Sequence, residues 1–184
     1  EPVRKQVIAR FPELADRTEV LLNFIDIKQV QRRSEEPLSD PQYTGELKFL
    51  TVGRASEEKG YDIAVQITAE LKKRGLCFKW FIIGDGRDLN KLRTMAKEYQ
   101  VEQEIIFLGM RENPAPYVKS CDLYLQPSRH EGYPITIVEA RSLQKVIIAS
   151  DIPSMREQIR DGENGYLCPL DVMQFADKIQ KVLA

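Results

Sequence analysis

The chain has 184 residues, enough for one well-buried core and too few for two full domains. Its 27 Lys and Arg against 28 Asp and Glu leave a formal net charge of -1, so no global field draws it to nucleic acid or to an anionic membrane. Any phosphate it binds has to be held by local groups.

The opening Glu1-Pro2-Val3-Arg4-Lys5 lacks the apolar stretch of a signal peptide, and no apolar run approaches the length of a membrane span. The absent initiator methionine fits an excised or processed piece. A short amphipathic segment is expected around Val3 to Phe11, and after Pro12 the run Glu19-Val20-Leu21-Leu22 has strand character, so residues 1–22 read as an incomplete unit. Residues 23–46 turn polar, with Gln31 to Pro37 and Ser39-Asp40-Pro41, and read as a linker. Cys77, Cys121 and Cys168 are odd in number, scattered, and set in or beside apolar runs. They predict buried reduced thiols in a cytoplasmic protein, not a disulfide framework or a zinc site.

From Leu47 to the end, short apolar runs alternate with stretches of helical spacing. Strands are predicted at Lys48 to Val52, Phe78 to Ile83, Ile105 to Leu108, Leu123 to Gln126, Val146 to Ser150 and Tyr166 to Cys168. Their near-continuous hydrophobicity suits strands covered on both faces. Helices are predicted at Gly60 to Arg74, Asp88 to Tyr99, Pro116 to Ser120, Pro134 to Leu143, Pro153 to Arg160 and Asp171 to Leu183. In the first, Ile63, Ile67 and Leu71 recur every four residues and form one buried stripe. The fold class is therefore α/β, a doubly wound parallel sheet of Rossmann-like type over 47–184, with ligands expected beyond the carboxyl ends of the strands.

The loop after the first strand, Val52-Gly53-Arg54-Ala55-Ser56-Glu57-Glu58-Lys59-Gly60, offers two cations, Arg54 and Lys59, that could capture a diphosphate; the alternative is a solvated loop paired by Glu57 and Glu58. The next, Gly84-Asp85-Gly86-Arg87-Asp88, is not a dinucleotide fingerprint, because its third glycine would fall at Leu89. It reads as a turn whose glycines admit a ligand or a neighbouring loop, with Asp88 as helix cap.

The fourth loop, Pro127-Ser128-Arg129-His130-Glu131-Gly132-Tyr133-Pro134-Ile135, is the most informative. Pro134 suits the first helical position, which puts the Gly132 and Tyr133 amides at a helix N-terminus, a ready anion site. Glu131 lies in the turn and Glu139 ~7.5 Å of helical rise beyond Pro134, so the two carboxylates can address hydroxyls on different parts of one elongated ligand. His130, the one histidine, reads as a surface or hydrogen-bonding residue in preference to a base, and no metal-ligand cluster accompanies it. Asp161-Gly162-Glu163-Asn164-Gly165 is a turn, with Asn164 or Gly165 available for positive φ.

In their order, Val52-Gly53-Arg54 with Lys59-Gly60, Gly84-Asp85-Gly86, Ile106-Phe107-Leu108-Gly109, Pro127-Ser128 through Glu131-Gly132-Tyr133-Pro134 to Glu139-Ala140, and Asp161-Gly162-Glu163-Asn164-Gly165-Tyr166-Leu167 resemble the GT-B fold retaining glycosyltransferases of family 4. The resemblance implies that Arg54 and Lys59 hold the diphosphate of a nucleotide-sugar donor and, with Glu131, form the catalytic set. It implies that Glu131 touches the sugar, that the Gly132 to Ile135 turn contacts sugar and phosphate, and that Glu139 binds the ribose. Gly53 and Gly84 would line the donor site, and Gly109, Met110 and Arg111 would hold the base, largely through backbone groups. Tyr133 stands where phenylalanine is frequent, and Arg141-Ser142 replaces small residues.

Residues 1–22 would be the remnant of an acceptor-binding domain whose absence leaves this chain without transfer activity. Neither metal nor cofactor is implied, and the full-length enzyme has room for peripheral membrane association. Two other classes stay open: a flavodoxin-like phosphate-binding module, and a hydrolase using Glu131 and Glu139 as its carboxylate pair.

Overall fold

The computed structural model describes residues 2–21 and 23–184. Two helices, α1 Pro2–Arg10 and α2 Ile27–Ser34, precede a six-stranded sheet. The strands are β1 Lys48–Val52, β2 Lys79–Ile83, β3 Ile105–Gly109, β4 Leu123–Gln126, β5 Val146–Ser150 and β6 Tyr166–Cys168. All pairings are parallel, in the order β3-β2-β1-β4-β5-β6. The crossovers carry α3 Tyr61–Lys73, α4 Leu89–Glu98, α5 Ala115–Ser120, α6 Ile135–Ser142 and α7 Pro153–Arg156, and α8 Val172–Leu183 follows β6. The doubly wound α/β expectation holds, each strand lying within one residue of its predicted bounds.

The sheet is buried on both faces because neighbouring residues of each strand point to opposite sides. Phe49, Trp80 and Ile82 face Ile67, Leu71 and Phe175 from α3 and α8, while Leu50, Phe81 and Tyr124 face Val118, Ile137 and Met155 from α5, α6 and α7. Two polar side chains enclosed here pair with each other and with the backbone: Trp80 Nε1 donates to Thr51 Oγ1 at 2.9 Å, and Thr51 Oγ1 donates to the Leu125 carbonyl at 2.6 Å. That chain of bonds ties β2, β1 and β4 together across the middle of the sheet.

Several expectations need correction. The segment read as a linker contains α2, which packs on α5 and α6. Its polar side chains hid it, because they bond the domain's rim: Gln31 Nε2 donates to the Ser142 carbonyl (3.3 Å) and Arg33 Nη2 to the Glu112 carbonyl (3.0 Å). Beyond it Tyr43 is buried, its ring 4.4 Å from that of Phe81 and 5.0 Å from that of Tyr117. Glu19, Val20 and Leu21 form no strand and pair with none of the six, and Leu22 lies outside the described residues. Around Val3 to Phe11 a helix does form, α1, packed on a 3-10 turn at Pro12–Arg17, with Val3 and Phe11 exposed.

Cys121 and Cys168 are buried, which pushes their thiols up to about 12 and about 11, but Cys77 is exposed. The helix expected from Pro153 ends at Arg156, and in the following turn positive φ falls on Gly162 and Gly165, while Asn164 instead accepts from the Arg160 amide at 2.8 Å. Among the described residues, no helix is long and apolar enough to cross a membrane.

Candidate functional site

With this strand order, the chain reverses its direction of winding between β1 and β4, and the loops leaving those two strands diverge around a crevice. Here they meet. Gly60 has φ +66°, and a Cβ on it would stand 1.9 Å from the Pro127 carbonyl oxygen, so only glycine lets the β1 loop lie against the β4 loop. The Glu58 carbonyl accepts from the Arg129 and His130 amides at 2.8 and 3.2 Å. The Arg129 guanidinium grips both Asp62 oxygens at 2.6 and 2.5 Å, fixing the β4 loop to α3.

This clamp has a pH signature. Burial by itself would raise the Asp62 carboxyl, but the Arg129 guanidinium reverses that and holds it below the usual carboxylate range. A native carboxylate held low contributes stability that is present above its unfolded pKa of ~3.9 and lost as pH falls through the native value. Asp62→Asn is therefore expected to lower unfolding free energy by about 1 kcal/mol at pH 7, the scale of a half-exposed ion pair. Urea titrations should show the gap from the parent chain closing as pH falls below about 4; a gap independent of pH would mean the contact is not electrostatic.

The clamp brings Lys59 Nζ to 2.7 Å from Glu131 Oε1. Around this pair lies a cleft of 620 Å³ lined by Arg54, Ser56, Glu58, Lys59, Arg87, His130, Glu131 and Gly132. Arg54, Lys59, Glu131 and Gly132, singled out on two separate loops of the sequence, share one cavity. Its lining carries three permanent cations against two carboxylates, a balance suited to an anion. The alternative of a first loop neutralised by its own glutamates fails for Lys59, which pairs across the crevice; Glu58 lies 3.9 Å from Arg87 instead.

The other expected site residues are distributed more widely. Gly53, Gly84 and Gly109 sit side by side at the ends of β1, β2 and β3, linked by Gly53 N to the Ile83 carbonyl and Gly84 N to the Gly109 carbonyl, each 2.9 Å. The Gly84 turn faces a neighbouring loop, since a Cβ there would stand 2.0 Å from the Gly53 carbonyl oxygen. Asp88 makes no side-chain cap bond. Met110 is exposed, whereas the Arg111 guanidinium is engaged by Asp40 at 2.7 Å and by the Tyr117 hydroxyl at 3.1 Å, leaving backbone groups as what that segment can offer.

Pro134 is not the first helical residue: with φ -68° and ψ 112° it is the N-cap, and α6 starts at Ile135. The helix N-terminus therefore begins one residue later, at the Ile135 amide, and of this turn Gly132 lines the cleft while Tyr133, Pro134 and Ile135 do not. Pro134 is buried, Tyr133 half-buried and Ile135 exposed. Glu139 is half-buried on α6, where burial raises its carboxyl, partly offset by Arg33 of α2. It does not line the cleft with Glu131, so the two carboxylates do not flank one cavity as a hydrolase pair would. The observed strand order also departs from that of flavodoxin-like modules.

Sequence reading missed Arg87, which lines the cleft, and the groups beneath Glu131. Gln126 Nε2 and Ser128 Oγ both donate to Glu131 Oε1, at 2.9 and 2.7 Å. A signal existed in the amide that ends the otherwise apolar run Leu123-Tyr124-Leu125-Gln126. Among the described residues, no group of three or more His, Cys, Asp or Glu is placed to hold a metal ion.

The sequence profile of the glycosyl transferases group 1 family matches residues 33–184. A glycosyltransferase of Methanocaldococcus jannaschii is 29% identical over 180 residues, covering 96% of this chain and 42% of that one. Among solved structures, a glycosyltransferase from Rickettsia africae superposes with a TM-score of 0.79 at 17% identity, over 97% of this chain and 50% of its own, a likeness of fold. The pneumococcal O-GlcNAc transferase GtfA, in complex with UDP and GlcNAc, gives a TM-score of 0.67 at 25% identity over 77% of this chain and 30% of its own. The chain spans less than half the length of the curated relatives it matches.

Proposed function

Because the chain belongs to the glycosyl transferases group 1 family, we propose that it is the donor-binding half of a retaining glycosyltransferase. In this reading the Lys59–Glu131 cleft takes a nucleoside-diphosphate hexose, and the sugar passes to a glycan or lipid-linked acceptor held by a domain outside this chain. The single observation that carries it is the convergence of Arg54, Lys59 and Gly132 on one cavity at the topological switch point.

Each part has a chemical task. Glycosyl transfer from such a donor builds negative charge on the departing diphosphate, and preorganised cations and amides lower the barrier by meeting that charge. Arg54 and Lys59 serve here with the backbone amides of Gly132, Tyr133 and Ile135, assisted by the positive end of α6, and no metal is assigned to the step. Glu131 takes hydroxyls of the transferred sugar. Glu139 takes those of the ribose, where a paired hydrogen bond would offset the burial that raises its carboxyl. Backbone groups of the segment Gly109 to Arg111, next to Gly84, hold the base. Uridine is the first base to test, since GtfA is a relative solved with UDP.

Calorimetric titration with UDP, GDP, ADP and TDP is expected to show binding by at least one, competed by its sugar-bearing form, while the chain alone shows no sugar transfer. Absence of heat with all four at millimolar concentration would remove this reading.

A further inference from the structure

The ion pair does not explain why Glu131 is so heavily anchored. Three donors, Lys59 Nζ, Gln126 Nε2 and Ser128 Oγ, all end on the same oxygen, Oε1. Gln126 and Ser128 are both fully buried. Apolar residues would suit those positions better, because an enclosed amide or hydroxyl costs free energy unless bonded. The amide is itself oriented from behind: its Oε1 accepts from the Tyr124 hydroxyl at 3.2 Å, and its Nε2 also reaches Ser128 Oγ at 3.0 Å. These partners sit on β4 or directly after it, whereas Lys59 reaches in from the opposite loop on a flexible stem.

We propose that Gln126 and Ser128 are positioning residues that moor Glu131 through Oε1 and present Oε2 to the cleft, so that the carboxylate keeps its place when a phosphate draws Lys59 away. The two ends of the ion pair then serve different parts of one ligand, the ammonium its diphosphate and the carboxylate its sugar hydroxyls. Without the mooring, the carboxylate would follow the ammonium towards the phosphate, which repels it. This inference rests on the donor-binding reading given above.

The test compares the chain with Gln126→Leu and Ser128→Ala by calorimetry, using UDP and, separately, UDP-glucose, UDP-galactose and UDP-N-acetylglucosamine. For the nucleotide sugar that the parent chain binds best, Gln126→Leu is expected to weaken binding about tenfold while UDP affinity changes less than about twofold, and Ser128→Ala to act in the same direction. Should Gln126→Leu fail to fold by circular dichroism, Ser128→Ala, which deletes one hydroxyl, decides alone. Equal losses for UDP and UDP-sugar would mark a merely structural role and overturn the proposal, as would no loss in either variant; both leave the donor reading intact. Failure of the parent chain to bind UDP or any of the sugars overturns both.

Discussion

Lys59→Ala is expected to weaken binding of a nucleoside diphosphate by one to two orders of magnitude and to abolish its stabilising effect on the chain. Hydrogen bonds to charged groups are worth about 1.5–3 kcal/mol, which is about 10- to 150-fold in affinity. Lys59 stands at the high end because it is mostly buried and held in place, with a side-chain exposure of 19%. The substitution also strips Glu131 of its counter-charge, and a largely buried carboxylate without one is destabilising. Two effects are therefore superimposed, and Glu131→Gln separates them. In the Lys59→Ala, Glu131→Gln double variant the lost melting temperature should return in part, because the uncompensated charge is gone, while the nucleotide still fails to bind. Arg54→Ala, at an exposed cation of the same cleft, should cost less. Undiminished nucleotide affinity in Lys59→Ala would detach this loop from phosphate recognition.

The strands were legible because a parallel sheet covered on both faces demands apolar, β-branched and aromatic residues at nearly every position; Phe49-Leu50 and Trp80-Phe81-Ile82 leave little else to be. Nothing comparable marks α2. Ile27 is exposed and Val30 half-buried, so its place depends on hydrogen bonds to carbonyls of α6 and of the segment after β3, which no local pattern reveals. The cleft was half legible. Arg54, Lys59, Glu131 and Gly132 could each be picked out by residue type and loop position, and strand order then brings them together. That Lys59 and Glu131 pair directly follows from the contact of two loops 67 residues apart, Gly60 against Pro127, and no spacing rule contains it. The part played by Gln126 is not legible in the sequence because a glutamine at a strand's end ordinarily faces water, whereas here it is fully buried and bonded to Tyr124, Ser128 and Glu131.

That loop contact makes Gly60→Ala a severely disruptive one-carbon change at the site. Two separate costs arise. An alanine at φ +66° is forced into the left-handed region, which costs about 1–2 kcal/mol. Its Cβ would also lie 1.9 Å from the Pro127 carbonyl oxygen, a backbone atom that cannot swing aside as a side-chain tip could. Gly75→Ala isolates the first cost, because Gly75 has φ +80° and nothing within 4 Å of its added carbon. Urea denaturation should therefore show a loss near 1 kcal/mol for Gly75→Ala and about 4 kcal/mol or more for Gly60→Ala, in the range reserved for a built-in clash. The difference between them measures how firmly the two loops are pressed together. Because relief of the clash means parting those loops, Lys59 and Glu131 part with them, and Gly60→Ala should lose nucleotide-dependent stabilisation even where it remains folded. Equal losses at Gly60 and Gly75 would show that the loops separate freely, and the cavity they form could not then be a preorganised anion site.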